Sequence, residues 1–272
     1  MRDCLEWQKK GMQHMDEHVF LCEDSIEGIL NGVYEAYCFK KEQKIESHDL
    51  LHLATKQPDT YRLFTEYITL ETNDDNAAKV IGTVRSRLGE ETYYQLCLAM
   101  ASCFEDKADA VYHTIVLGLR TNDRNILDRL GEDCVQRTFK YARASNNEVG
   151  HMLQFTRFLE LEGGILYAKI DAKHHILPFI MPHFSDRLPM ENFIIYDENT
   201  DTYGLHPRFQ PWYLAEGMEF DSDQIKITAA EKEYQELFRR FCKTIAIESR
   251  TNEKLQTGML PLRFRPNMVE FQ

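Results

Sequence analysis

The chain has 272 residues, of which 43% are hydrophobic and 28% charged, and 44 acidic against 32 basic side chains give a formal net charge of −12. This composition is typical of a folded globular protein and excludes a mostly disordered chain. The acid excess also excludes the overall basic character that drives nonspecific nucleic-acid binding. No apolar run reaches the ~18 residues of a membrane span, and the N-terminus has no apolar core of signal-peptide length. We therefore expect a cytoplasmic protein with no membrane partner.

The first predicted elements form a small β/α piece at the N-terminus. The run HVFLC at 18–22 favours a strand, and Asp24 or Ser25 can cap a helix whose apolar residues recur at helical spacing up to Tyr37. Alternating residues from Tyr67 onward predict another strand.

The middle of the chain is predicted to be helical. Helical patterns follow one another from the Asn/Asp cluster near residue 73 to Gly163 and Gly164, where two adjacent glycines favour a helix end.

The C-terminal portion contains predicted strands. Segments 165–171 and 193–200 alternate like strands, and a third is indicated from Thr202. A short helix is indicated between the first two, although its two prolines limit its length. Segment 228–250 predicts an amphipathic helix, and the tail after residue 260 is predicted to be extended.

These elements predict an α+β fold, with a small β/α N-terminal piece, a helical middle and a β-containing C-terminal portion. We expect a single domain over 1–272. A subdivision into 1–64, 65–145 and 146–272 is left open.

The standard cofactor and catalytic motifs are absent from the sequence. There is no GxGxxG, GxxxxGK[ST], HExxH or GxSxG pattern, and no two of the seven cysteines are separated by only two residues. We therefore expect reduced thiols, no iron–sulfur centre and no cofactor. His174, His175 and His183 indicate a metal site only weakly, because they lack a recognised ligand spacing, and no metal is assigned.

Polar residues embedded in aromatic sequence between 151 and 212 form the first candidate site. Arginine forks beside aromatic rings can hold single-stranded bases and phosphates. Alternatively, Arg157 and Arg187 form structural ion pairs with Asp186 or Asp197. The candidate phosphate-binding residues here are Arg157 and Arg187, and the candidate pocket residues are His151, Gln154, Phe158 and Tyr203.

Basic side chains of the C-terminal helix and tail form a second candidate surface. These residues could contact nucleic acid, or they could be a solvated face paired with Glu233 and Glu236. They are Arg239, Arg240, Lys243, Arg250 and Arg263.

Three blocks of the chain carry a family resemblance. They are LCEDSIEGILNGVYEAY at 21–37, the 151–197 stretch containing HMLQFTRF, LPFIMPHFSDR and IIYD, and the C-terminal RTNEKLQTGMLPLRFRPNMVEF. Together they resemble a bacterial family of DNA-metabolism and DNA-repair proteins whose members pair with a radical-SAM protein that modifies or repairs DNA. His151 and Thr200 depart from the family pattern, which has arginine or another residue at position 151 and favours arginine at position 200.

Two alternative functions are left open: the resemblance implies the first, and the chemistry of His183 and Arg187 suggests the second. The first is a nucleic-acid- or partner-binding accessory in DNA repair, acting beside a radical-SAM protein and with DNA as a further partner. The second is a stand-alone enzyme acting on a nucleotide or damaged base. In that enzyme His183 would transfer the proton, with Asp197 as a second catalytic residue, and Arg187 would hold phosphate.

Overall fold

The computed structural model describes residues 17–217 and 226–271, and the chain divides into two compact units, Met1–Ser145 and Asn146–Gln272. The described residues form helices and two separate sheets, which confirms the predicted α+β class. Within these residues, no helix is long and apolar enough to cross a membrane.

The first unit contains a three-stranded parallel sheet and four complete helices among its described residues. The strand order is β2-β1-β3, so β1 lies in the centre and pairs in parallel with both neighbours. The elements are β1 (Glu17–Leu21), α1 (Ile26–Glu42), β2 (Leu51–Ala54), β3 (Thr65–Thr69), α2 (Asp74–Leu88), α3 (Glu90–Met100) and α4 (Lys107–Thr121).

Side-chain caps set the starts of two helices in this unit, α1 and α2. Ser25 accepts a hydrogen bond from the backbone N–H of Gly28, and Asn73 accepts hydrogen bonds from the N–H groups of Asp75 and Asn76. Helix α2 ends at Gly89, whose φ of 97° is readily adopted only by glycine.

The second unit contains a five-stranded mixed sheet with the order β4-β5-β6-β7-β8. Only β5 and β6 pair in parallel, because helix α6 connects them. The elements are β4 (Leu159–Leu161), β5 (Ile165–Ile170), α6 (Leu177–Arg187), β6 (Asn192–Asp197), β7 (Thr202–His206), β8 (Tyr213–Glu216), α7 (Ala229–Ile245) and α8 (Glu253–Met259). Helix α5 (Asp133–Phe155) runs through the residue at which the two units are divided.

Three parts of the structure differ from the sequence-based prediction. The sequence does not predict strand β2, because its four residues give too short an alternation to recognise. Strand β4 lies in a segment that is predicted to be helical. The tail after residue 260 is not extended: it forms the 3₁₀ turns Leu262–Asn267 and Val269–Phe271, which bury Phe264 and Val269.

A buried lysine connects helix α4 to the loop before α1. The side chain of Lys107 is only 2% exposed, and its Nζ donates to the carbonyl of Ser102 at 2.7 Å and pairs with the Asp24 carboxylate. A buried ammonium needs such partners, because an unpaired charge in the interior is costly.

We expect Lys107→Met to lower the free energy of unfolding by roughly 1–3 kcal/mol, because the Ser102 carbonyl loses its charged donor. Lys41→Met, at an exposed position in the last turn of α1, is the matched control and should change stability by less than about 0.5 kcal/mol. The measurement is urea unfolding of the full chain. Equal stability of the two variants would show that the buried contact contributes nothing.

Candidate functional site

The first unit positions two histidines and one aspartate together. His52 lies in β2, whose residues Leu51 and Leu53 are buried while His52 and Ala54 face the opposite side. Helix α4 packs against β2 and carries Asp109 and His113, which are four residues apart and therefore share one helical face. This packing brings the three polar side chains to one place.

The ring nitrogens of both histidines converge on a single carboxylate oxygen. Nδ1 of His52 lies 2.9 Å from Oδ1 of Asp109, and Nε2 of His113 lies 3.4 Å from the same oxygen. The other oxygen, Oδ2, lies 3.8 Å from Nη1 of Arg137. Arg137 also pairs with Asp106 at 2.9 Å and Asp133 at 2.8 Å, so several carboxylates share its charge.

The electrostatics of the cluster favour the ionised carboxylate. Burial alone would raise the pKa of Asp109, but hydrogen bonds to His113 and His52 outweigh it and hold that pKa well below its ordinary value. The hydrogen bond to Asp109 in turn raises the pKa of His52. The position of Asp109 in the first turn of α4 adds the favourable helix dipole.

A further histidine with a different character lies beside this cluster. Nδ1 of His48 lies 2.6 Å from the hydroxyl of Tyr112, whose side chain is fully buried. Burial, with smaller contributions from nearby cations, lowers the pKa of His48 to about 4. His48 is therefore neutral at neutral pH, whereas His52 is held closer to protonation.

All of these histidines line one cavity of about 960 Å³ in the first unit. That volume lies within the range of small-molecule sites, and an apolar wall with a few convergent polar groups is typical of them. The cavity is also lined by Tyr34, Tyr37 and an apolar wall that includes Val80 and Ile115. Its cations are Lys40, Lys79, Arg87, Arg120 and Arg137.

The residues that the sequence suggests as a polar and aromatic pocket have mostly structural contacts in the second unit. Phe158 packs edge-on against Phe184 and Phe193, and Tyr203 is buried and stacks on Tyr196. The ring of His151 lies 5.3 Å from that of Phe264. Gln154 is exposed, and its amide donates to the carbonyl of Gly150.

Of the candidate basic side chains in the second unit, two form ion pairs, one is half-buried and four are exposed. Arg157 pairs with Glu270 at 2.9 Å, so it forms an ion pair, although with a different partner from those expected. Arg263 lies 2.7 Å from the buried carboxylate of Glu148. Arg239 is half-buried, and the exposed members are Arg187, Arg240, Lys243 and Arg250.

His183 and Asp197, the two suggested catalytic residues, lie in different environments. His183 is exposed on α6, whereas Asp197 is fully buried at the end of β6. Asp197 accepts hydrogen bonds from the N–H groups of Ala172 and Asn199 and from the Thr200 hydroxyl. These bonds fix the loops at this edge of the sheet.

Among the described residues, only one group of His, Cys, Asp or Glu side chains has the spacing of metal ligands, and it is His52, Asp109 and His113. The sequence pattern does not reveal this group. The Asp-x₃-His spacing of Asp109 and His113 within a predicted helix indicates that these two side chains share a face. His52 could not be added, because that required knowing that residues 51–54 form a strand beneath the helix.

The fold and the cavity define an α+β protein with a histidine–carboxylate centre. The chain belongs to the family defined by a domain of unknown function, DUF4130, whose model matches residues 105–270. Asp109, His113 and Arg137 lie inside the matched range, and His52 lies before it. No curated protein matches the chain.

One similar solved structure is a DHH domain from a protein described as a member of a family of ribosomal proteins. It is 8% identical, with a TM-score of 0.39, and the alignment covers 71% of this chain and 74% of that one. A likeness at that level carries no argument about fold or function.

We expect Asp197→Asn to stabilise the protein near neutral pH. Burial raises the pKa of Asp197 from 3.8 to about 6, with a smaller contribution from Glu148, so the folded state binds this proton more tightly than the unfolded state. Stability contributed by this group is therefore lost as pH rises from about 4 to about 6. Asparagine keeps an oxygen acceptor and removes the ionisation.

The gain at about pH 7.5 should be roughly 1–3 kcal/mol and should shrink at about pH 5. Thermal unfolding of the full chain at both pH values measures it. Glu198→Gln, at the adjacent exposed position, is the control and should show no such pH-dependent gain. A loss of stability at both pH values would mean that the ionised carboxylate is needed.

Proposed function

We propose that this protein is an enzyme of DNA metabolism whose reaction centre is His52, Asp109 and His113, and whose substrate is a nucleotide or nucleobase derivative. The observation that carries the proposal is the convergence of two imidazole nitrogens on one carboxylate oxygen in a cavity of about 960 Å³. The resemblance to DNA-repair proteins supports the biological process, which in bacteria takes place in the cytoplasm.

The chemistry of the centre is proton transfer or hydrolysis. Imidazoles titrate near neutral pH, and an aspartate that pairs with an imidazole orients it and stabilises its protonated form. Asp109 is held ionised and half-buried, which is the condition under which it can do this for His52 and His113. The residues that would carry the reaction are thus His52 and His113, and not His183, which the sequence suggests.

The cavity lining fits a nucleotide in two respects. Tyr34 and Tyr37 provide aromatic rings that can stack on a base, and Lys79 lies 4.9 Å from the centre of the Tyr34 ring. Arg87 and Arg120 add guanidinium groups, which suit phosphate oxygens. As many carboxylates as cations line the cavity, so we expect modest selectivity for charge and strong dependence on the base.

Calorimetric titration of the full chain with the four deoxynucleoside monophosphates, the matching nucleosides and the free bases tests this proposal. We expect at least one nucleotide to bind, and the double variant Lys79→Ala, Arg120→Ala to weaken it about tenfold while leaving nucleoside binding within about threefold. Arg143→Ala, at an exposed position outside the cavity, is the control and should bind like the unmodified protein.

Failure of all twelve compounds to bind would contradict the nucleotide assignment. If a nucleotide does bind, His52→Gln should keep the affinity within about threefold and abolish its conversion, because the imidazole acts on the reaction and not on the phosphate. Unchanged conversion in that variant would remove His52 from the reaction centre.

A second candidate function, binding to a radical-SAM protein, is favoured by helix α7. Its apolar stripe is exposed to solvent, each residue by at least 42%. Such a stripe is unusual on a monomer and is typical of a surface that binds another protein. The stripe consists of Tyr234, Leu237, Phe238, Phe241 and Ile245.

We expect the double variant Leu237→Ser, Phe241→Ser to lose capture of the radical-SAM protein of the same organism by at least tenfold, because the centre of the apolar stripe is removed. The measurement is a pull-down with both purified proteins under anaerobic conditions. Met190→Ser, which also removes an exposed apolar side chain in the second unit, should leave capture unchanged. Equal capture by all three proteins would rule out this surface.

A further inference from the structure

We propose that His52, Asp109 and His113 bind one divalent transition-metal ion, of the class to which Zn²⁺ belongs, with an open coordination position toward the cavity. This inference deepens the proposed function and rests on it only for the role of the ion in the reaction. Binding of the ion itself depends only on the three side chains. It departs from the expectation, drawn from the sequence, that no metal is held.

The distances between the ligand atoms fit a common ion. One ligand atom from each residue lies within 4.8 Å of the other two. A tetrahedral zinc ion with bonds of about 2.0–2.1 Å separates its ligand atoms by about 3.3–3.4 Å. The His113–Asp109 separation already has this value at 3.4 Å, and the His52–Asp109 separation of 2.9 Å must lengthen by about half an ångström.

The groups around Asp109 favour metal binding through one of its two carboxylate oxygens. Oδ1 faces both imidazoles, and Oδ2 faces Arg137. Such a contact to the second oxygen orients a metal-ligating carboxylate. Because Asp106 and Asp133 also pair with Arg137, the cation is partly compensated and repels an incoming ion less.

The donor atoms select the class of metal. Two imidazole nitrogens and one carboxylate oxygen suit zinc, iron, nickel or copper, whereas Mg²⁺ and Ca²⁺ prefer sites made of oxygens. Three protein ligands leave a position for water or substrate, which is the arrangement of catalytic metal sites. The cavity on whose wall all three residues lie provides the room for that position.

Binding requires the two hydrogen bonds to Asp109 to be replaced by metal bonds. Each ligating imidazole must present an unprotonated nitrogen to the ion, so any proton held at Nδ1 of His52 or Nε2 of His113 is released. Both side chains are half-buried, so neither a deep rearrangement nor unfolding is needed for the ion to enter.

Titration of the metal-free full chain with Zn²⁺ alone, against a chromophoric chelator, tests the site without any nucleotide. We expect one equivalent to bind, and His52→Gln, His113→Gln and Asp109→Asn each to weaken it by at least thirtyfold. His18→Gln is the matched control: Nδ1 of His18 pairs with Glu66 at 3.0 Å in the same unit, but no third ligand among the described residues is near. The Zn²⁺ affinity of His18→Gln should stay within twofold of that of the unmodified protein.

The visible spectrum of the Co²⁺-loaded protein identifies the ligands. We expect d–d bands without an intense sulfur-to-cobalt charge-transfer band, because no cysteine among the described residues belongs to the site. His113→Cys should restore binding relative to His113→Gln and should add that band. This variant separates loss of a ligand from loss of the fold.

Several results would overturn the metal site: no Zn²⁺ bound, equal affinity in the three ligand variants and His18→Gln, or a thiolate band in the unmodified protein. Nucleotide titrations in the presence of a chelator are independent of this test. A protein that binds Zn²⁺ at His52, Asp109 and His113 but no nucleotide would keep the metal site and lose the substrate assignment, and the reverse result would do the opposite.

Discussion

The packing of helix α4 against strand β2 is the interaction on which the candidate site depends. The two elements are separated by more than fifty residues in the chain, and their contact places His52 beside Asp109, while Leu51 is buried on the other face of the strand. A carboxylate removed from water in this way needs partners, because desolvation disfavours its charge. Two imidazoles and a guanidinium supply them, so the geometry of the centre follows from the need to satisfy one half-buried aspartate.

An element of the fold can be predicted from the sequence when the residues that determine it lie close together in the chain. The cap at Ser25, the helix beginning after Asn73 and the strand at Ile165–Ile170 are predictable, because capping side chains and alternation act over a few residues. Strand β2 is not, because its four residues give too short an alternation to recognise. Unless residues 51–54 are known to form strand β2, the position of His52 cannot be predicted. Asp109 and His113 alone do not reveal the centre.

Contacts between residues far apart in the chain limit prediction in the second unit as well. The sequence groups polar and aromatic side chains in the segment 151–212, but it cannot show what faces them, and Phe158 lies beyond the helix that ends at Phe155. Glu270, the partner of Arg157, is 113 residues away, and the Glu148 carboxylate that meets Arg263 lies on α5, at the opposite end of the unit's sequence. In this unit the burial of apolar residues is easier to predict from the sequence than the pairing of charged ones. Burial needs only an apolar neighbour, whereas an ion pair needs one particular partner.

Helix α7 shows that a correct pattern does not decide how an element is used. Its amphipathic pattern is predicted, and the Thr228 hydroxyl caps its first turn by accepting from the N–H of Glu231, yet the apolar stripe is exposed instead of forming part of a core. A hydrophobic stripe on a helix indicates that an apolar surface should cover it, but the pattern does not identify that surface. The two units thus differ in how these groups are satisfied. In the first unit, the half-buried carboxylate of Asp109 has its partners within the chain, in His52, His113 and Arg137. In the second unit, the apolar stripe of α7 stays in contact with water, and the area that it leaves exposed contributes nothing to the hydrophobic stabilisation of the fold.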